Sequence, residues 1–179
     1  MEILKFILIG IVALIGLLLI VALIVKKEYG VIREVTIDKP IAEVYEYVKL
    51  LKNQENFSVW ANKDPEMKKE YHGIDGNLGF ISAWESKMKD VGKGEQEITN
   101  IVKDKRIDYE LRFIKPFAST SDAYIAFEPK SMTQTNVKWG FTGKMKYPLN
   151  LFLLTMDMES LIGKDFQDGL NNLKVILEK

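Results

Sequence analysis

The sequence predicts an α+β domain carried on an N-terminal transmembrane helix, and three patterns predict it. Twenty residues from Phe6 to Val25, FILIGIVALIGLLLIVALIV, carry no charged or hydrogen-bonding side chain. Between Lys68 and Met145 the chain is a ladder of short alternating segments separated by turn residues. After Pro148 the period changes, and Met158, Leu161, Ile162, Phe166, Leu170, Leu173 and Leu177 form one apolar stripe at helical spacing.

At ~1.5 Å per residue, a helix over the apolar run spans the ~30 Å hydrocarbon core of a bilayer. A helix buried in a soluble core keeps a polar stripe, and this run has none. A cleaved signal peptide has an apolar region of about 7 to 15 residues followed by small residues. This run is longer and ends in Lys26, Lys27 and Glu28. The reading is an uncleaved single-pass anchor over residues 1–27, followed by one soluble domain over residues 28–179. Lys5 alone precedes the run, whereas Lys26, Lys27, Arg33 and Lys39 follow it, which directs the domain to the cytoplasmic side. The residues Lys26 to Gly30 reach at most ~17 Å, so the domain is expected close to the bilayer. Gly10 and Gly16 are not spaced as a GxxxG pair, so the anchor predicts no self-association.

The first 25 residues hold one acid, Glu2, and one base, Lys5; of the 25 acids and 25 bases in the chain, 24 of each remain for the other 154 residues. A neutral domain argues against nucleic acid as a partner, because such binders carry a basic excess. No cysteine is present, which excludes disulfides and thiol chemistry. The length suits one domain with a substantial core.

VIREVTID, Val31 to Asp38, alternates and is rich in β-branched residues, so it reads as a strand. Asp38 can then cap a helix with Pro40 early and Ile41, Val44, Tyr45 and Val48 on one face. KNQENFSVWANKDP reads as a turn or short helix around Phe57 and Trp60, ended by Asp64-Pro65. Strands are expected at Lys68–His72, Leu78–Glu85, Gly92–Val102, Arg106–Phe113, Ser119–Glu128 and Thr135–Met145. RIDYELRF is the clearest, with Ile107, Tyr109, Leu111 and Phe113 on one face and Asp108, Glu110 and Arg112 on the other. The C-terminal stripe must be buried, and the sheet is its only available partner.

IDKPIAEVYEYV, together with FEP at Phe127–Pro129, VKW at Val137–Trp139 and the ending GKDFQDGLNNLK, resembles the START-related, Bet v 1-like (SRPBCC) superfamily, including its polyketide cyclase/dehydrase-like bacterial members. The resemblance covers roughly residues 31 to 177. It implies a helix-grip fold: a seven-stranded antiparallel sheet curled around the long C-terminal helix, with an elongated apolar cavity between them. Relatives often carry several tryptophans before the position of Trp60, where this chain has Gln54 and Phe57. The hairpin after FEP is usually glycine-rich in relatives, and KSMTQT has no glycine, so a looser loop is expected there.

Catalytic constellations are sparse. The one histidine, His72, ends a predicted strand, and neither a zinc site nor a Ser-His-Asp triad is supported. Glu95 and Glu97 share a strand face that reads as solvated. GKGE and DGNLG lack the lysine and following helix of a phosphate loop. No cofactor or metal is implied.

The inward faces are aromatic instead: Phe80, Trp84, Tyr109, Phe113, Phe127, Trp139 and Phe141 on the strands, with Met158, Ile162 and Phe166 approaching from the helix. Alone, these read as core. In the fold the resemblance implies, they and Trp60 also wall a cavity for a hydrophobic small molecule, with Ser82, Gln96 and Tyr109 as orienting polar groups. In an antiparallel meander alternate connections share an end. The loops Ser86–Val91, Ile114–Ala118 and Lys146–Asn150 should therefore cluster, and with the first strand antiparallel to the last, as the resemblance implies, the anchor enters at that end. Their Lys87, Lys89, Lys93, Lys115, Lys144 and Lys146, with Met88, Ile114, Phe117 and Tyr147, predict either a basic rim with apolar tips set against headgroups or lysines that simply keep loop tips soluble. Relatives hold the cavity mouth at this end, so the resemblance implies a mouth facing the bilayer. The leading expectation is a membrane-tethered carrier of a lipid- or isoprenoid-like molecule without catalysis. The alternatives are a cyclase/dehydratase-type enzyme, with Tyr109, Gln96 or His72 as nominees, and a regulatory or protein-interaction domain.

Overall fold

A computed structural model describes all of residues 1–179. Helix α1 runs from Glu2 to Ile24, with only Ala22 buried against the rest of the chain. It is the one helix long and apolar enough to cross a membrane. Seven strands follow: β1 (Glu28–Ile37), β2 (Lys68–His72), β3 (Ile81–Glu85), β4 (Lys93–Val102), β5 (Arg106–Lys115), β6 (Ser119–Ser131) and β7 (Gln134–Lys144). They form one antiparallel sheet in the order β1-β7-β6-β5-β4-β3-β2. Two short helices, α2 (Ile41–Val48) and α3 (Gln54–Phe57), lie between β1 and β2. A 3₁₀ segment, Leu149–Leu154, leads into α4 (Met158–Leu177), which packs on β1, β7 and α3. This is the helix-grip, Bet v 1-like architecture that the resemblance implies.

Several local expectations need correction. β1 starts at Glu28, in register with Lys144, so only Val25, Lys26 and Lys27 separate it from α1 rather than the stretch to Gly30. Pairing with β7 extends β1 back over residues with little strand character of their own. Asp38 does not cap α2; Pro40 holds the cap position, while Asp38 accepts a hydrogen bond from Gln134 Nε2 at 2.7 Å. β3 starts at Ile81 rather than Leu78, after a turn with glycines at positive φ. The β6–β7 hairpin is tight, not loose: Ser131 pairs with Gln134 across Met132 and Thr133. A register shift at Pro129/Ser131 absorbs the mismatch, and Ser131 Oγ accepts the Thr133 N–H, so no glycine is needed.

The inward face of the sheet changes along its length. On β6 the inward residues run Phe127, Ile125, Ala123, Ser121, Ser119, from large to small. At the large end α2 and the following turn close the interior with Val44, Tyr45, Val48 and Leu51, and Leu170 and Leu173 of α4 are fully buried against it. At the small end no element fills the space. Glycine contributes there: a Cβ on Gly94 would collide with the Trp84 indole and the Arg112 carbonyl. The start of β1 and the β3–β4, β5–β6 and β7–α4 connections all lie at this small-residue end, as strand parity requires.

Candidate functional site

Between the inner sheet and the N-terminal half of α4 lies a cavity of about 660 Å³. Its floor is an aromatic layer: Trp139 stacks on Phe166 at 4.5 Å between centroids, and Phe57 meets Trp139 edge-on at 5.8 Å. The Trp84–Phe113 pair, also edge-on at 6.0 Å, forms one wall, with the Trp84 Nε1–H donating to the Val91 carbonyl at 3.3 Å. Met158, Leu161 and Ile162 on the first turns of α4 form the opposite wall. The space exists because Ser58, Ala61, Ser82, Ser119, Ser121 and Ala123 occupy lining positions where larger side chains would fill it.

Eighteen of the 32 lining residues are hydrophobic, so the surface presented to a guest is mainly apolar with scattered polar groups. Ser82 and Gln96 sit opposite each other in the β3–β4 register, both on the wall. Two ion pairs are also on the wall. Lys63 Nζ lies 3.2 Å from Asp165 and over the Trp60 ring, and Lys69 Nζ lies 2.8 Å from Glu55. Glu55 also accepts the Tyr71 hydroxyl. Apart from Trp60, the exposed lining residues are Asp90, Lys115, Pro116, Phe117, Lys144 and Leu161, all at the end where α1 joins β1.

Of the residues nominated from sequence, the structure brings Trp60, Ser82, Trp84, Gln96, Phe113, Trp139, Phe141, Met158, Ile162 and Phe166 to this cavity. Phe80, Tyr109 and Phe127 are not on its wall but in the closed core, at 1%, 2% and 3% exposure. They point inward as alternation predicts, but toward the end that α2 plugs; Phe127, for example, meets Tyr45 edge-on at 5.6 Å. Burial, with Asp108 adding to it, pushes the Tyr109 phenol well above its ordinary range, so its hydroxyl keeps its proton. His72 is exposed at the end of β2. Glu95 and Glu97 are tied to Arg112 at 2.6 and 2.8 Å, on the face of β4 opposite Gln96. Sequence reasoning missed Glu55, Lys63, Lys69 and Asp165. Each sits in a polar stretch that reads as surface, and only the packing of α3 on α4, with Lys69 of β2 reaching Glu55 and Lys63 reaching Asp165, carries them to the wall.

Residues 30–178 match the family described as polyketide cyclase / dehydrase and lipid transport. No curated protein matches the chain. Among solved structures, a truncated norcoclaurine synthase from Thalictrum flavum is similar with a TM-score of 0.64 at 11% identity, covering 85% of this chain and 95% of that one. Another structure of that enzyme is a complex with dopamine and hydroxybenzaldehyde. A protein from Rhizobium leguminosarum has a TM-score of 0.55 at 18% identity, covering 85% and 95%. Ara h 8.0201 has a TM-score of 0.56 at 12% identity, covering 84% and 97%. At these identities the likeness is one of fold.

Proposed function

The chain belongs to the polyketide cyclase / dehydrase and lipid transport family, and from that premise we propose that it is a membrane-tethered binding protein for a hydrophobic, lipid- or isoprenoid-like molecule, held without chemical conversion. The observation that carries the reading is the hollow itself: about 660 Å³, within the range of small-molecule sites, walled mainly by apolar side chains and kept open by a run of serines and alanines. Burial of apolar ligand surface at roughly 25 cal/mol per Å² supplies the driving force. Ser82 and Gln96 orient a polar group of the guest, and the Lys63–Asp165 and Lys69–Glu55 pairs give one side of the wall a charged character suited to an amphipathic molecule.

Residues 1–27 act in this reading as the anchor and residues 28–179 as the binding domain. Supporting the anchor over a removable leader, the end of α1 is built into the domain: Asn150 Nδ2 donates to the carbonyls of Ala22 and Val25. The excess of lysine and arginine after the span favours a cytoplasmic domain. Gentle extraction of the full chain followed by mass spectrometry of co-purifying molecules tests the binding reading. A stoichiometric apolar compound is the expected result; repeatedly empty preparations would refute a carrier.

One observation favours a second reading, an enzyme of the cyclase/dehydratase kind. The Glu55 carboxylate, on the wall, accepts hydrogen bonds from both the Lys69 ammonium group and the Tyr71 phenol behind it, a set able to move protons. Recovery of a chemically altered compound from the purified protein, abolished by Lys69→Met, would move the assignment there.

A further inference from the structure

We infer that the segment Pro148–Asp157 is an interfacial foot: its exposed apolar side chains enter the leaflet that α1 crosses and hold the cavity mouth over lipid. The inference rests on the tether reading of α1. No charged residue occurs from Leu149 to Met156, yet Leu149, Phe152, Leu154 and Met156 are 54%, 54%, 63% and 42% exposed. A contiguous apolar patch of this kind marks a surface that something covers.

The fastening to α1 identifies lipid as the cover. Asn150 is completely buried, and its Nδ2 donates to Ala22 O at 2.7 Å and Val25 O at 3.0 Å, carbonyls at the point where α1 runs out of intrahelical partners. The Tyr147 hydroxyl donates to Leu19 O at 3.4 Å, and the Met145 N–H to Lys27 O at 2.8 Å. Leu19 lies about 7 Å along the axis before the end of α1. Tyr147 is therefore alongside the span itself, the level at which amphipathic aromatic rings settle in a bilayer, and the foot that follows is continuous with the lipid-facing surface of α1.

The same end carries Phe117, 80% exposed, with Ile114 and Met88, and it is collared by Lys87, Lys89, Lys115 and Lys146, which suit anionic headgroups. Lys115, Phe117 and Leu161 belong both to this rim and to the cavity lining. A hydrophobic guest thus passes between leaflet and cavity without crossing open water.

The chain has no cysteine, so a single introduced thiol reports alone. Full-length Leu14→Cys, Phe152→Cys, Leu154→Cys and Lys103→Cys, each carrying a nitroxide, are reconstituted in phosphatidylcholine/phosphatidylglycerol vesicles. Lys103 lies in the exposed β4–β5 turn at the opposite end and serves as the aqueous reference. The expected result is lipid exposure at position 14. At positions 152 and 154, collision with dissolved oxygen is several-fold higher, and with a water-soluble nickel chelate several-fold lower, than at 103. Nickel access at 152 and 154 equal to that at 103, with position 14 still protected, overturns the foot and leaves the tether standing. Nickel access at position 14 overturns the tether and the foot with it. Protection of 152 and 154 from both reagents means that protein covers the segment, and this also overturns the inference.

Discussion

The two ends of the sheet interior are built from the same strands and the same helix, yet one is solid and the other hollow. At the closed end Ile98, Ile107, Tyr109, Ile125, Phe127 and Val137 meet α2 and the C-terminal half of α4, and all are nearly or fully buried. At the open end β6 supplies Ala123, Ser121 and Ser119, β4 supplies Gln96 and Gly94, and no helix plugs the gap. The difference teaches that dense packing and open volume are separated along the strands. Large side chains near α2 hold the fold, which frees the other end to give up packing for space.

Truncation at the closed end breaks this division most sharply. Phe127→Ala should cost about 3–5 kcal/mol, read as a lowered urea midpoint, while the folded fraction keeps its ligand capacity. Equal loss of capacity in the folded fraction would show that the two ends are not independent. Next in size, Asn150→Ala removes a buried amide that serves two carbonyls and should cost about 1–3 kcal/mol. Hydrogen exchange should locate the loss in residues 145–157 and in the end of α1, with β5 and β6 near Phe127 unchanged.

Filling the hollow comes third. Ser119→Leu with Ser121→Leu should weaken an apolar fluorescent probe by about tenfold or more, roughly 1.4 kcal/mol, with no loss of thermal stability. A fall in stability comparable to that of Phe127→Ala would mean that the open end was packed after all. The smallest effect is a pH dependence at the first turn of α4. Hydrogen bonds from the Ser160 hydroxyl and then its backbone N–H hold the Asp157 carboxyl below the usual aspartate range, with Arg33 contributing. Because the folded-state value is depressed, the stabilisation is complete above the ordinary aspartate range and is lost as pH falls through the folded value. The melting-temperature gap between the wild type and Asp157→Asn, whose amide cap does not titrate, should therefore narrow on acidification below about pH 4.

Much of this architecture was legible in the residues. Alternation in RIDYELRF, the helical stripe from Met158 and the uninterrupted apolar run each encode a local period, and local periods survive folding. The division between core and cavity was less legible, because alternation says that Tyr109 and Phe113 face inward but not which is near the plug. The signal that separates them is the decline in side-chain volume from Phe127 to Ser119, visible only when β6 is read as one face from end to end. The ion pairs of Lys63 and Lys69 depend on contacts with α4 and α3 far along the chain, which no local pattern carries. The proposed foot, built around the 3₁₀ segment Leu149–Leu154, was hidden for a related reason. Six residues are too few to establish a period, and the apolar side chains there resemble a core segment until their exposure is seen.

Only Val25, Lys26 and Lys27 lie between the long apolar rod and the first strand, and Asn150 cross-braces that joint. Such a mount has no slack: the bowl cannot swing out on a leash to meet a distant partner. Embedded as proposed, it searches in two dimensions by drifting sideways, and whatever exchanges cargo with it must come to the same plane.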